Sequence, residues 1–299
     1  MPKQTIFIGN PSKLSVKQGS LIVEKSNVTA MIPLEDIWVL VIESREVLIT
    51  ARALAELCDA GIGTMLCGKT HMPSGLLLPI GAHSRHAAIV EDQLLMSKPL
   101  KKRLWQAIVK QKILNQSKVL SFIGSSRDEY LTQLASSVLS DDSTGREAVA
   151  ASLYFKEISP DGGRRNSNIT AFLDYGYAVL RAGIARYAVA GGWLVSREIH
   201  HDNNLNAFNL VDDFIEPFRP VVDLLVLQEI ETSKLDTTAK QKLASIFSYY
   251  VKMGGAKYTV QSAIEEMLDS FKHAVLEDDS SKLLLPEIIP LEQWSGEEK

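Results

Sequence analysis

The stretch that most constrains this chain runs over residues 170–195. It has helix length and carries Gly176, Ala178, Ala182, Gly183, Ala185, Ala188 and Ala190. So many small side chains leave no polar face to turn to water. The expected setting is a central helix packed closely by its neighbours. Arg181 and Arg186 interrupt the apolar run, so it falls short of a membrane span. At 299 residues the chain is long enough for two modest domains.

Two kinds of periodicity divide the chain. The first ~80 residues show short β-branched or alternating runs at 5–8, 21–23, 37–42 and 64–67, separated by turn clusters such as Gly9-Asn10-Pro11-Ser12. One helix interrupts them over 48–60, closed by Gly61. Residues 68–79 are turn-rich and read as the end of a small domain. From His86 to about Val275 the segments have helical length and period: 87–96, 100–123, 128–139, 147–155, 170–195, 208–232, 239–251 and 260–276. The tail after Asp278 is acidic and contains Pro286 and Pro290, the pattern of a frayed end. The expected boundaries are 1–85 for a β-rich domain and 86–299 for a helical one.

Formal net charge is −4, so any nucleic-acid contact must come from local patches. One such patch is residues 98–118, with Lys98, Lys101, Lys102, Arg103, Lys110, Lys112 and Lys118 and no acid. These side chains do not share one helix face, so a solvated helix surface explains them about as well as a phosphate track. Arg164-Arg165 beside Gly162-Gly163 form a second small basic loop. Cys58 and Cys67 read as reduced core thiols. The Met-Pro-Lys-Gln-Thr start lacks the regions of a secretory signal, and the expected location is the cytoplasm.

Three constellations hold candidate chemistry. Thr144-x-x-Glu147 has capping-box spacing, and its Glu, followed by Ala148, Ala150 and Ala151, can also reach into a cleft. His200-His201 follow the small-residue helix; adjacent residues do not share a face, so at most one points into a given site. Asp212, Asp213 and Glu216 put carboxylates on one side of a helix that Pro217 would stop or kink. Asp212 and Asp213 suit an exposed helix start, whereas Glu216, among Ile215, Pro217 and Phe218, suits burial. One imidazole with two carboxylates would take Mg²⁺ or Mn²⁺, and would also accept Zn²⁺. Serine-elbow, Walker, dinucleotide-binding and HExxH motifs are missing from the sequence.

In order along the chain, Glu147-Ala-Val-Ala-Ala-Ser-Leu-Tyr-Phe, Leu173-Asp-Tyr-Gly-Tyr, Ile199-His-His and Asn206-Ala-Phe-Asn-Leu-Val-Asp-Asp-Phe-Ile-Glu-Pro-Phe-Arg-Pro resemble the CRISPR-associated adaptation integrases, the first-numbered Cas family. Leu34-Glu-Asp-Ile-Trp-Val-Leu-Val-Ile-Glu43, Pro73-Ser-Gly-Leu-Leu-Leu-Pro79, His83-Ser-Arg85, Leu104-Trp-Gln-Ala-Ile-Val and Lys112-Ile-Leu-Asn-Gln116 extend the resemblance over essentially the whole chain, on the side of the type II branch. Thr170 and Asp174 stand where relatives often have Asn.

The resemblance implies an α+β fold: a small β-sandwich-like N-terminal domain and a larger all-α C-terminal domain. It implies metal-dependent transesterification, in which 3′-hydroxyls of a short double-stranded DNA attack repeat phosphodiesters. Glu147, His201 and Glu216 would be the catalytic metal ligands for Mg²⁺ or Mn²⁺, with His201 preferred over His200 for its distance to Glu-Pro-Phe-Arg. Asp213 would be a supporting acid. Lys101, Lys102, Arg103, Lys110, Lys112, Arg164, Arg165 and Arg219 would meet DNA. The implied partners are a second copy of the chain, a dimer of a small ferredoxin-like Cas protein and, in the type II branch, an effector nuclease and a DNA-end-binding ring protein. Two rival readings are a DNA-binding subunit with an inert acidic cluster and a hydrolase of small phosphoesters. The hydrolase would not need the basic stretch at 98–118.

Overall fold

The computed structural model describes residues 3–26, 28–80, 83–159 and 169–294. The N-terminal part is strand-rich: β1 (Gln4–Ile8), β2 (Lys13–Lys17), β3 (Ser20–Lys25), β4 (Val28–Pro33), β5 (Ile37–Ile42), β6 (Leu48–Ile49), α1 (Ala51–Asp59), β7 (Gly63–Cys67) and β8 (Pro73–Leu77). Two four-stranded sheets form, in the orders β1-β5-β7-β8 and β4-β3-β2-β6. The helix expected from residue 48 starts at Ala51, because Leu48 and Ile49 pair with β2 and Thr50 caps the helix by accepting from the Ala53 N–H at 3.1 Å. The stretch expected to be turns after Cys67 contains β8, which pairs antiparallel with β7 and begins on Pro73 at the sheet edge.

Strand β5, Ile-Trp-Val-Leu-Val-Ile, is buried at every position, as a strand covered on both faces must be. Ile37, Leu40 and Ile42 join Leu14, Leu21 and Leu57 in a core between the two sheets. Trp38, Val39 and Val41 belong instead to the large core of the helical part. One strand therefore serves two cores and ties the sheets to the helices.

The C-terminal part contains α2 (His86–Leu94), α3 (Lys98–Phe122), α4 (Asp128–Ser136), α5 (Arg146–Ile158), α6 (Thr170–Ala190), α7 (Asn209–Ile215), α8 (Arg219–Glu229), α9 (Thr237–Ala244), β9 (Tyr250–Met253), β10 (Ala256–Thr259) and α10 (Val260–Glu277). It is helical but not all-α. The helix expected over 239–251 stops at Ala244, and Tyr250–Met253 turns back on Ala256–Thr259 through Gly254-Gly255, both at positive φ. The tail is docked rather than frayed. Glu287 exchanges two backbone hydrogen bonds with Lys252, and Leu283 and Ile288 are buried.

Helix α6 is the central helix its composition requires. A Cβ at Gly183 would lie 2.5 Å from the Phe247 ring and 2.6 Å from Trp38, so only glycine admits both aromatics. Among the described residues no helix is long and apolar enough to cross a membrane. Cys58 and Cys67 are both free thiols and only partly buried.

Candidate metal centre

Asp213 organises the histidine loop. It is fully buried on α7, and its carboxylate accepts the backbone N–H groups of Ile199, His200 and His201 at 2.7, 3.1 and 3.1 Å. It also holds His201 Nδ1 at 2.7 Å. With Nδ1–H committed to Asp213, Nε2 is the imidazole nitrogen left to face a ligand. This hydrogen bond raises the His201 pKa above its ordinary value against the pull of burial, and the charges of Asp213, Glu216 and Glu147 add to it.

His200 faces another way. Its ring stacks on Trp105 with centroids 4.3 Å apart and planes 1° apart, and its Nδ1 lies 3.2 Å from Asp141. Lys102 reaches the other Asp141 oxygen at 3.3 Å, and Lys101 approaches Glu198 at 3.5 Å. The first turns of α3 thus brace the histidine loop.

Glu147 opens α5. The expected capping box does not form. Gly145, at φ +62°, precedes the helix, and the Asp142 carboxylate accepts the N–H groups of Arg146 and Glu147 at 2.8 and 3.0 Å. The Glu147 side chain is released from capping and meets Lys112 Nζ at 2.6 Å.

Glu216 sits where α7 breaks into the 3-10 turn Glu216–Phe218, with Pro217 in the turn and Pro220 in the first turn of α8. Its carboxylate, 5% exposed, takes Arg219 Nε on one oxygen at 2.9 Å and Lys112 Nζ near the other at 2.5 Å. Burial alone would raise its pKa; Lys112 and Arg219 outweigh burial and bring it down to about 2. Asn115, buried on α3, donates to Pro217 O and Pro286 O at 2.8 Å each and accepts from the Ile288 N–H at 3.1 Å. One side chain therefore pins both the Glu216 turn and the C-terminal tail to α3.

These elements enclose a cavity of about 780 Å³ whose walls include Glu147, His201, Glu216, Lys112 and Arg219. His200 and Asp213 are not in its lining. Asp212 serves a different contact, accepting from Arg181 and Asn206 at 2.7 Å each. Among the described residues no three His, Cys, Asp or Glu side chains are already gathered closely enough to hold an ion; the ammonium of Lys112 stands between the two glutamates.

The family profile described as CRISPR associated protein Cas1 matches residues 6–263, a span that contains every wall of this centre. The chain belongs to the Cas1 family. A CRISPR-associated endonuclease Cas1 of Neisseria meningitidis is 40% identical over 99% of this chain and 100% of its own length. A casposase bound to integration product shares the fold at TM-score 0.77 and 17% identity, covering 100% of this chain and 97% of its own. A Cas1 protein from Thermotoga maritima does so at TM-score 0.70 and 16% identity, covering 91% and 97%.

The expected DNA contacts of this Cas1 chain have different settings. Lys101, Lys102 and Arg103 are paired with Glu198, Asp141 and Asp278, and Lys118, a further cation of the same basic run, is paired with Glu287. Lys112 is 8% exposed inside the centre, where it meets carboxylates instead of solvent. Lys110 is exposed and has no carboxylate at ion-pair distance among the described residues. Arg219 lies 4.6 Å over the Tyr177 ring in the cavity wall. Arg164 and Arg165 lie outside the described residues.

Sequence reasoning missed Gln116 and Lys156, which also line the cavity. Gln116 is almost fully buried, with its Oε1 unpartnered, whereas Lys156 is exposed. The sequence signals for Gln116 are its place at the end of the Lys112-Ile-Leu-Asn-Gln116 segment and its i+4 spacing from Lys112. Replacing Asp213 by Asn removes the charge that orients His201, and Mn²⁺ affinity is expected to fall about 10- to 100-fold by calorimetry. Unchanged affinity would show that the imidazole needs no such support.

Proposed function

We propose that this chain is a Mg²⁺- or Mn²⁺-dependent DNA integrase that joins short DNA fragments into a CRISPR array. The observation that carries the proposal is the convergence of Glu147, His201 and Glu216, from three separate elements, on one cavity. The donor set fits a divalent ion on three counts. His201 is oriented through Nδ1 by a buried acid, the support usual for a ligating imidazole. Glu216 is buried yet keeps its negative charge, with Oε2 on the Lys112 ammonium at 2.5 Å. Both glutamates already share one positive charge, that of Lys112. Two carboxylates and an imidazole suit Mg²⁺ or Mn²⁺. When bound, such an ion supplies Lewis-acid polarisation of a phosphodiester and a lower pKa for an attacking oxygen.

The chain's own residues would do the rest. Asp213 holds His201 in place, and Asn115 fixes the backbone beside Glu216. Arg219, anchored by Glu216 Oε1, offers its remaining donors to a phosphate oxygen. The reaction is transesterification: the 3′-hydroxyl oxygen of the incoming strand bonds to a repeat phosphorus as the bond to the leaving 3′-oxygen breaks. The test is strand transfer of a short duplex into a supercoiled plasmid carrying a repeat. Relaxed product is expected with Mn²⁺ or Mg²⁺ and none after chelation. Metal-independent product would refute the reading, and DNA binding without product under any metal would favour a binding subunit.

We further propose a division into domains at residues 85 and 86, a homodimer, a cytoplasmic setting and assembly with a ferredoxin-like Cas dimer. Solved complexes named for Cas1 together with Cas2 have this fold, at TM-scores of 0.75 and 0.61. The type II-like sequence segments add an effector nuclease and a DNA-end-binding ring protein as partners. Lys156 is the exposed cation of the cavity wall. Lys156→Ala is expected to weaken DNA binding evenly across sequences and to lower the salt-dependence slope by about 1, measured by binding titrations at several salt concentrations.

A further inference from the structure

Lys112, Asn115 and Gln116 form the polar face of the Lys-Ile-Leu-Asn-Gln segment, and all three are buried on α3. Asn115 has a full set of partners and a positional role. Lys112 is different. A buried ammonium is costly unless paired, and this one is paired with two carboxylates from different elements, Glu147 Oε1 at 2.6 Å and Glu216 Oε2 at 2.5 Å. Glu216 has a second cation in Arg219, on its other oxygen. Among the described residues Glu147 has only Lys112 at ion-pair distance.

We infer that Lys112 is the resident counter-ion of this centre: it holds Glu147 and Glu216 together before metal arrives and competes with a divalent cation for the same two oxygens. The inference rests on the reading of Glu147 and Glu216 as ligands. Three features support it. Each contact is a charge pair made through a single carboxylate oxygen, and a divalent cation offers those same oxygens the same kind of attraction. The ammonium sits on a flexible four-carbon stem, and Lys112 itself lines the cavity of about 780 Å³, so its head can withdraw without moving α3. Lys112 and a divalent ion would present like charges to the same two oxygens, so the two do not fit there together.

Loading therefore works against a pre-existing ion pair, and apparent metal affinity is reduced by the fraction of molecules in which the pair is closed. The centre keeps its two acids close without metal, and gives up some affinity in return. The ammonium released on loading is left in the cavity where the DNA phosphate is expected.

Mn²⁺ calorimetry and lysine footprinting test this together. Lys112→Met keeps the length of the stem and removes the charge. It is expected to bind Mn²⁺ at least about tenfold more tightly than wild type, with a lower metal-free Tm that Mn²⁺ restores. Equal or weaker binding overturns the inference. The wild-type protein provides a readout that needs no variant. Amine acylation read by mass spectrometry should label Lys112 several-fold faster with saturating Mg²⁺ than without it; equal protection in both states overturns displacement. A wild-type protein that binds no Mn²⁺ removes the ligand assignment, and this inference with it. Mn²⁺ binding with Lys112 still protected removes the inference alone.

Discussion

Glu147→Ala is expected to reduce metal-dependent strand transfer by about a thousandfold or more, the size of effect seen when a principal stabiliser of developing charge is lost. The variant should fold. The N-terminus of α5 is held by Asp142, whose carboxylate accepts the N–H groups of residues 146 and 147 whatever side chain follows. Lys112 keeps Glu216 as its partner. The assay is product formation on a supercoiled plasmid, read beside a thermal melt. A variant that melts like wild type and retains activity within a few-fold would end the case for Glu147 as a ligand. Glu216→Ala is the less informative choice. It leaves the buried charges of Lys112 and Arg219 without their shared acid, and breaking such a cluster costs about 3–5 kcal/mol.

Gly183→Val is expected to destabilise the protein by about 3 kcal/mol or more, since even one Cβ at this position overlaps the Phe247 ring and Trp38. For a chain of this size that corresponds to a fall in Tm of about 5 °C or more. Trp38 belongs to β5, the strand shared by both cores, and Phe247 follows α9, so the clash reaches the sheet and the helical part together. Differential scanning calorimetry measures the effect. A Tm within about 1 °C of wild type would mean that the close packing of α6 does not support the fold.

The helices that position the centre were legible because their signals are local. α3 and α6 are long and periodic, and Ser97 caps α3 by accepting the Leu100 N–H, whereas α6 stops at Ala190, before Gly191-Gly192 and short of the expected end at 195. Hairpin β9–β10 was not read, although Gly254-Gly255 is a two-residue turn signal. Tyr249, Tyr250 and Val251 continue the apolar period of α9 and masked it. Glu147, His201 and Glu216 were legible as residue types in a family pattern, but their meeting depends on tertiary structure. Lys112 shows the limit most clearly. In sequence it is one cation in a basic run, set apart from Lys110 only by opening the Lys112-Ile-Leu-Asn-Gln116 segment. Its burial comes from α5 and the Glu216 turn packing over it. Elsewhere in the basic run, Lys101, Lys102, Arg103 and Lys118 meet Glu198, Asp141, Asp278 and Glu287 in contacts nearer the surface.

A crystal soaked in Mn²⁺, with anomalous scattering recorded above the manganese edge, addresses the main claim most directly. One strong peak is expected in the cavity, with oxygens from Glu147 and Glu216 and the Nε2 of His201 in its first shell and the Lys112 ammonium turned away. A protein saturated with Mn²⁺ whose peaks all lie elsewhere, with Lys112 still bridging the two glutamates, would contradict it.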